Sequence, residues 1–295
     1  MSSAAFDDRL IQVVMSYTLA NGTIQNVLTL NESFYIRATG MKYADVTQNE
    51  CTIQIANLKK ETRDQLATQF TPFNQDQRRK QVVLSAGRKS TGLYTIFEGD
   101  ITECVISQPP NIVVTIKAKT MQFYKFNYLG QAQNVTAPLS KISADIGQSL
   151  GVKQVLFQAT DMTVANWSYS GMALGAIKKL NDMKQLNVYV DDNTLIVKDA
   201  DKSLEGATID INMNTGMVGT PELTELGVRV KVFLAPGMKI GGKFNLTSKL
   251  NPTIDGEYNS YQLAFDIASR DTPFYATWFG CKFPVQFGFA NLPPP

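Results

Sequence analysis

The chain has 295 residues, 44% of them apolar and only 18% charged, with 28 Lys plus Arg against 26 Asp plus Glu. That length suits two or three domains of roughly 100 to 150 residues each and excludes a globally disordered chain, because folding at this size hides about three quarters of the unfolded surface. A net charge of +2 without a long block of one sign argues against a nucleic-acid binder, and the absence of histidine removes Ser-His-Asp and Cys-His nucleophiles, the two-histidine zinc helix and imidazole acid–base chemistry.

From Arg9 to about Met121 short alternating runs are separated by turn residues. RLIQVVMSYTL leads to the Asn21, Gly22 dipeptide, and TIQNVLTL, SFYIRATG and CTIQIANL follow, a pattern that predicts hairpins with one buried face. KKETRDQLATQF, residues 59–70, predicts a single short helix ended by Pro72, with Leu58, Leu66 and Phe70 on roughly one face. Gln77, Arg78, Arg79 and Lys80 read as a solvated basic turn before three more strands, QVVLSAG, YTIFEGDITECVI and NIVVTIKAKTMQFY.

Near Lys125 the period changes. Residues 139–151 place Leu139, Ile142, Ile146 and Leu150 at helical spacing with a stop glycine, Gly151. A second helix is predicted from Gly171 to about Gln185, with Met172, Leu174, Ile177, Leu180 and Met183 as its apolar set, followed by a hairpin turning at residues 191–193. Alternation returns from Ala207 in five runs joined by Gly, Pro, Asn and Asp, which predicts a second small barrel or sandwich. The expected organisation is mainly β with an α+β insertion: a barrel-like domain at 1–123, a middle α+β domain at 124–203, a second barrel-like domain at 204–282 and a terminal arm at 283–295. Phe283, Phe287 and Phe289 make that arm too apolar for a free tail, which leaves two readings, an arm docked on a neighbour and a frayed terminus.

The candidate sites are few. Residues 237–243, GMKIGGK, keep the spacing of a phosphate loop, but Phe244 replaces the Ser or Thr that would hold magnesium, and the following residues alternate as a strand. Asp199, Asp201, Ser203 and Glu205 resemble the opening of a calcium loop, with Gly206 wrongly placed for one. Asp7 with Asp8, Asp191 with Asp192, and Glu222 with Glu225 are carboxylate neighbours beside turns, and glycosidase chemistry needs two carboxyls facing each other across a cleft. Trp167, Tyr169, Trp278 and Phe279 are read as packing aromatics rather than stacking platforms. Cys51, Cys104 and Cys281 form no CxxC and fit a reduced compartment, without a disulfide framework or thiolate metal cage. No signal peptide, membrane anchor, metal, cofactor or catalytic residue is expected, and the five N-x-S/T triplets are attributed to chance. Charge this sparse, beside 38 Asn and Gln residues, describes a surface that partners can cover at little desolvation cost.

Several stretches together resemble the baseplate hub proteins of contractile phage tails. VVLSAGRKSTGLYTIFEGDIT, residues 82–102, is similar to that family's L-x-A-G turn leading to an I-F-x-G strand. CTIQIANLKKETRDQL, residues 51–66, is similar to the strand and short helix before it; residues 207–249 resemble the family's later T-G-x-x-G-x-P segment, and residues 250–274 its closing hairpin. The resemblance implies two tail-tube-like β-barrel domains flanking the small α+β domain, so that a homotrimer would set six barrels around one axis and join a six-fold tail tube to a three-fold central spike. It further implies a non-enzymatic structural protein of the virion, assembled in the host cytoplasm. Its partners would be a spike protein, tail tube or tube-initiator proteins, other baseplate proteins and a tape measure protein. The spike is expected to be a separate polypeptide, because no short Val/Gly-rich needle repeats occur before Pro295. The rival readings are a tail tube or tube-initiator subunit, with one barrel per chain, and a peptidoglycan-binding or cell-wall-degrading tail protein.

Overall fold

The computed structural model describes residues 7–18, 23–70, 78–132, 136–183, 185–206, 208–237 and 239–282; the Asn21, Gly22 turn and the Phe283, Phe287, Phe289 arm lie outside them. Strands β1 (Arg9–Thr18), β2 (Ile24–Asn31), β3 (Tyr35–Tyr43) and β4 (Glu50–Ala56) precede helix α1 (Lys60–Phe70) and strands β5 (Lys80–Arg88), β6 (Gly92–Ile106) and β7 (Val113–Lys119). The middle stretch holds β8 (Tyr128–Ala132), β9 (Thr136–Pro138), α2 (Leu139–Ser149), β10 (Gln154–Gln158), β11 (Thr163–Ala165), β12 (Ser168–Met172), α3 (Ala173–Asn181), β13 (Leu186–Asp191) and β14 (Thr194–Asp199). The last stretch holds β15 (Ile209–Ile211), β16 (Met217–Thr224), β17 (Gly227–Phe233), β18 (Lys243–Leu246), β19 (Gly256–Ala268) and β20 (Phe274–Cys281).

Thirteen of these strands form one hydrogen-bonded network built from two arcs. The first runs β2-β1-β5-β6-β7-β4-β3 and the second β15-β18-β19-β20-β17-β16. Leaving β2 aside, the two orders repeat: an antiparallel hairpin, β3-β4 or β16-β17, pairs onto β7 or β20, which pairs onto a long strand, β6 or β19, and then onto β5 or β18. Both long strands carry a one-residue bulge at the same place in this scheme, Thr102 in β6 and Tyr261 in β19. Bulges bend a strand and increase its local twist, so each long strand curls its arc.

The arcs meet on β19. Its residues 256–259 pair with β18, while residues 262–268 pair antiparallel with β3, from Gln262 opposite Tyr43 to Ala268 opposite Arg37. At that seam Gly40 lies opposite Phe265, and a Cβ on Gly40 would come within 2.2 Å of the Phe265 ring. The glycine is therefore a space requirement, not a turn signal.

The succession of hairpins expected near the N-terminus breaks between β2 and β3. Among the described residues no ladder joins them, nor β15 to β16, so each arc stays open. β3 already has partners on both edges, β4 and β19, and its buried Ile36 and Ala38 complete an apolar layer with Ile53, Ile55 and Ile267. The L-x-A-G stretch is also not a turn: Leu84, Ala86 and Gly87 lie within β5, and the chain reverses at residues 89–91.

One hydrophobic cluster runs through both arcs and includes Leu66 and Phe70 of α1, while a second, separate cluster belongs to the middle stretch. In that second core α2 buries Leu139, Ile142 and Ile146. It stops as its glycine predicts: Gly151 takes φ +63°, its N–H donates to the Gln148 carbonyl at 3.0 Å, and the Val152 N–H donates to the Gly147 carbonyl at 3.2 Å, a Schellman cap. Helix α3 starts later than predicted because residues 168–172 pair as strand β12 with β8; Met172 is exposed, and Ala173, Ala176, Ile177 and Leu180 form the buried face. Among the described residues no helix is long and apolar enough to cross a membrane.

Candidate functional site: a buried ionic junction

The tight turn between β13 and β14 inserts Asp191, Asp192 and Asn193 into the seam of the sheet. Asp192 supports the turn at φ +53°, a conformation that aspartate tolerates better than most residues. Facing it from β3 is Lys42, whose side chain is only 6% exposed. Its Nζ donates to Asp191 Oδ1 and to both Asp192 oxygens, each at 2.9 Å. The Glu98 N–H of β6 also donates to Asp192 Oδ1 at 3.0 Å, and Asn49 Nδ2 donates to Asp191 Oδ1 at 3.1 Å. Thus β3, β6 and the β13–β14 turn are tied at one point.

A second knot lies beside it. Arg79 is buried, its Nε donating at 2.7 Å to Asp100, which also accepts the Phe123 N–H at 2.8 Å. The guanidinium sits 4.9 Å from the Tyr124 ring centre. This overturns the expectation of a solvated basic turn for Arg79: a carboxylate on β6, buried by the same fold, needs a cation and draws it in. Asn193 links the two knots, accepting from the Arg79 guanidinium through Oδ1 at 3.4 Å and donating through Nδ2 to Glu98 Oε1 at 2.6 Å, where Lys153 also donates at 2.6 Å.

Burial is the largest influence on Asp192 and pushes its carboxyl up to about 6, with Asp191 adding to the rise and Lys42 opposing it. Burial also works against the charge on Lys42, but the two carboxylates outweigh it and hold the ammonium above the usual lysine range. A folded-state pKa above the unfolded 3.8 means that between pH 4 and 6 the native chain binds the extra proton, so this group's stabilisation fades as pH rises through that window. We expect urea midpoints of the wild-type chain, compared with an Asp192→Asn variant, to fall between pH 4 and 6 by more than those of the variant. Parallel pH profiles would remove Asp192 as the titrating group.

Both carboxylates share one ammonium, so the pair forms a fixed contact rather than two groups facing a substrate. A cleft of about 420 Å³ opens beside it, lined by Tyr94, Ile96, Leu234, Lys239 and Phe265 among others. The other sequence candidates stay apart. Asp7 is tied to the Ser90 N–H and Glu222 to Arg229. Asp199 accepts from the Thr160 N–H and hydroxyl, both at 2.9 Å, and from Lys202 at 2.6 Å. No group of three His, Cys, Asp or Glu residues that could hold a metal ion occurs among the described residues.

The GMKIGGK stretch leads into β18, not a helix, and Phe244 is a buried ring stacked on Tyr258 with centroids 5.6 Å apart. Gly241 serves close packing instead, since a Cβ there would meet the Tyr189 hydroxyl at 2.0 Å, and Tyr189 donates to the Ile240 carbonyl at 3.0 Å. Trp167 and Trp278 are buried, the first in the middle core and the second against Phe244. Tyr169 donates to the Met172 carbonyl at 2.6 Å, and Phe279 lies tilted against Tyr261. The three cysteines are buried and none is in a disulfide, and the Cys281 thiol donates to the Asn259 carbonyl at 3.7 Å. Sequence reasoning reached Asp191 and Asp192 but missed Lys42, Asn49 and Asp100, which no local motif marks.

Comparison with known proteins points in one direction. A family model described as "Baseplate hub gp41" matches residues 10–280. Among solved structures, the 43 kDa tail protein of prophage MuSo2 from Shewanella oneidensis superposes with a TM-score of 0.61 at 9% identity, covering 92% of this chain and 97% of its own. A tail protein from Neisseria meningitidis MC58 gives 0.61 at 10% identity, covering 91% of this chain and 96% of that one. An E. coli component of the type VI secretion system gives 0.57 at 11% identity, over 86% and 75%. At such identities these likenesses speak for the fold. No curated protein sequence matches.

Proposed function

The chain belongs to the baseplate hub gp41 family, and we propose that it acts there as a ring-forming, non-enzymatic adaptor between the six-fold tube and three-fold spike of a contractile tail. Family membership gives it a structural role in the phage tail baseplate, and so a place in the virion. The observation that carries the finer reading is the repeated strand order of the two arcs, joined through β3 and β19. We take each arc as one barrel-like module, within the domain limits 1–123 and 204–282, and residues 124–203 as the module clamped between them. Three chains then supply six similar modules, and one polypeptide reconciles six-fold with three-fold symmetry. Sharing edges in a closed ring also hides strands that would otherwise recruit unwanted partners.

The sheet face turned away from the core suits a channel wall. It carries Arg37 paired with Asp266 across the seam, and within the arcs Lys117 with Glu103, Lys119 with Glu50 and Arg229 with Glu222. Opposite charges held together leave no one-sign track on which a passing polyanion would lodge. Exposed pairs of this kind add little stability, so neutrality of the wall is their more useful property. The spike on one rim and tube or tube-initiator proteins on the other complete the assignment, with the other baseplate proteins and the tape measure protein nearby.

Native mass measurement of the full chain at micromolar concentration should give a trimer, and averaged electron images should show six lobes around a channel. A chain that stays monomeric and binds neither tube nor spike protein overturns the proposal, as does turnover of peptidoglycan by the purified chain.

A further inference from the structure

One large apolar side chain is out of place. Leu223 of β16 lies opposite Val228 of β17, which is fully buried, so both side chains point to the core side of the sheet. Leu223 is nevertheless 70% exposed. Among the described residues the core-facing layer therefore runs out at the β16 edge without a neighbouring strand. A matching gap exists elsewhere. Strand β6 pairs with β5 through residues 92–100, but beyond Asp100 the described residues provide no strand on that side of residues 101–106. Val105, on the face away from the core, is 47% exposed, and Ile106 packs only partly buried against the core.

The internal repeat says what fits these gaps. Following the ladders from one bulge, Ile101 pairs with Ala118, Ala118 with Cys51 and Cys51 with Gly40. From the other bulge, Ser260 pairs with Gly280, Gly280 with Val228 and Val228 with Leu223. Leu223 is thus the counterpart of Gly40, and Ile106, five residues after Ile101, is the counterpart of Phe265, five after Ser260. Within the chain Gly40 pairs with Phe265 to seal the seam between the arcs.

We propose that β16 of one chain adds antiparallel to residues 105–107 of β6 and its continuation in a second copy, with Leu223 opposite Ile106, Thr224 opposite Val105 and Glu222 opposite Ser107. This deepens the ring reading above and rests on it. The fit is one of register and of apolar character: the internal seam pairs a phenyl ring with no side chain, and the new seam pairs two branched aliphatic chains on the same core-facing side. The contact is head-to-tail, because β16 and β6 are different surfaces, so repetition of one rotation generates a ring or an open filament. With the internal seam alternating with the external one, every arc is joined to the next by an equivalent strand pairing.

The test is a chain carrying Ile106→Cys and Leu223→Cys together, oxidised with diamide, beside each single variant. Directly opposed strand residues have Cβ atoms roughly 4.5–5.5 Å apart, close enough for a disulfide after small adjustment. The expected result is a trimeric native mass and, on a non-reducing gel, covalent dimers and trimers in the double variant alone. A trimer that yields no cross-link in the double variant overturns the edge assignment and leaves the ring intact. A chain that is monomeric at every concentration overturns both. As a second measurement, Leu223→Gly should weaken assembly at least tenfold, and adding Ile106→Phe, which copies the internal seam, should restore it; failure of the second change to rescue counts against the register.

Discussion

Replacing Lys42 by methionine should lower the unfolding free energy by about 3–5 kcal/mol, the range for removing one partner of a buried ion pair and leaving the other uncompensated. Two carboxylates would lose their shared cation in a setting where the lysine they contact is 6% exposed. Asp192 would still accept the Glu98 N–H, and Asp191 the Asn49 amide, so the turn would keep part of its hydrogen bonding. Adding Asp191→Asn and Asp192→Asn to Lys42→Met should recover much of the loss, because neutral amides bear burial far more cheaply than unpaired charge. Urea denaturation of the three chains measures this directly. A Lys42→Met chain within about 1 kcal/mol of wild type would mean that the junction is solvated and does not anchor the middle module.

Truncating Trp278 to alanine should cost a similar amount, about 3–5 kcal/mol, as expected for removing a buried aromatic from a close-packed core. The ring is buried edge-on to Phe244, which in turn stacks on Tyr258. Its indole nitrogen has no hydrogen-bond partner among the described residues, so Trp278→Phe gives up volume but no polar contact seen there and should be much milder, within about 1–2 kcal/mol. Thermal unfolding of both variants separates the effects. Equal losses would show that the indole nitrogen, through an unseen partner, matters more than the packing. The same pair bears on the rival glycan-platform reading: a packing tryptophan fails by unfolding, whereas a platform fails by losing ligand with the fold intact.

Trp278 was legible as a packing aromatic, whereas Lys42 sits where sequence reading met its limit. Alternation in β4, β7 and β17 announced strands because each strand buries every second residue against one continuous layer, and that rule is local. Helix α2 was legible for the same reason, its Leu139, Ile142 and Ile146 spacing and Gly151 being contained within thirteen residues. The seam was not. Nothing near Gly40 says that Phe265 will lie on it, because the two are joined by a register set across more than two hundred residues. Arg79 looked solvated among Gln77, Arg78 and Lys80 because its partner, Asp100, is reached only after β5 and β6 have paired. Lys42 was invisible on the same account, and the Asp191, Asp192 dipeptide looked like an ordinary polar turn. The repeat of the two arcs is likewise written in strand order and bulge position rather than in matching letters.

Strand β19 has a mechanical consequence. Its first residues belong to one arc and its last to the seam with the other, without an intervening linker. Torque on either arc would have to shear the seven residue pairs between β3 and β19 together. Such a pair behaves as a girder: a push on one rim reaches the other with little lost to bending.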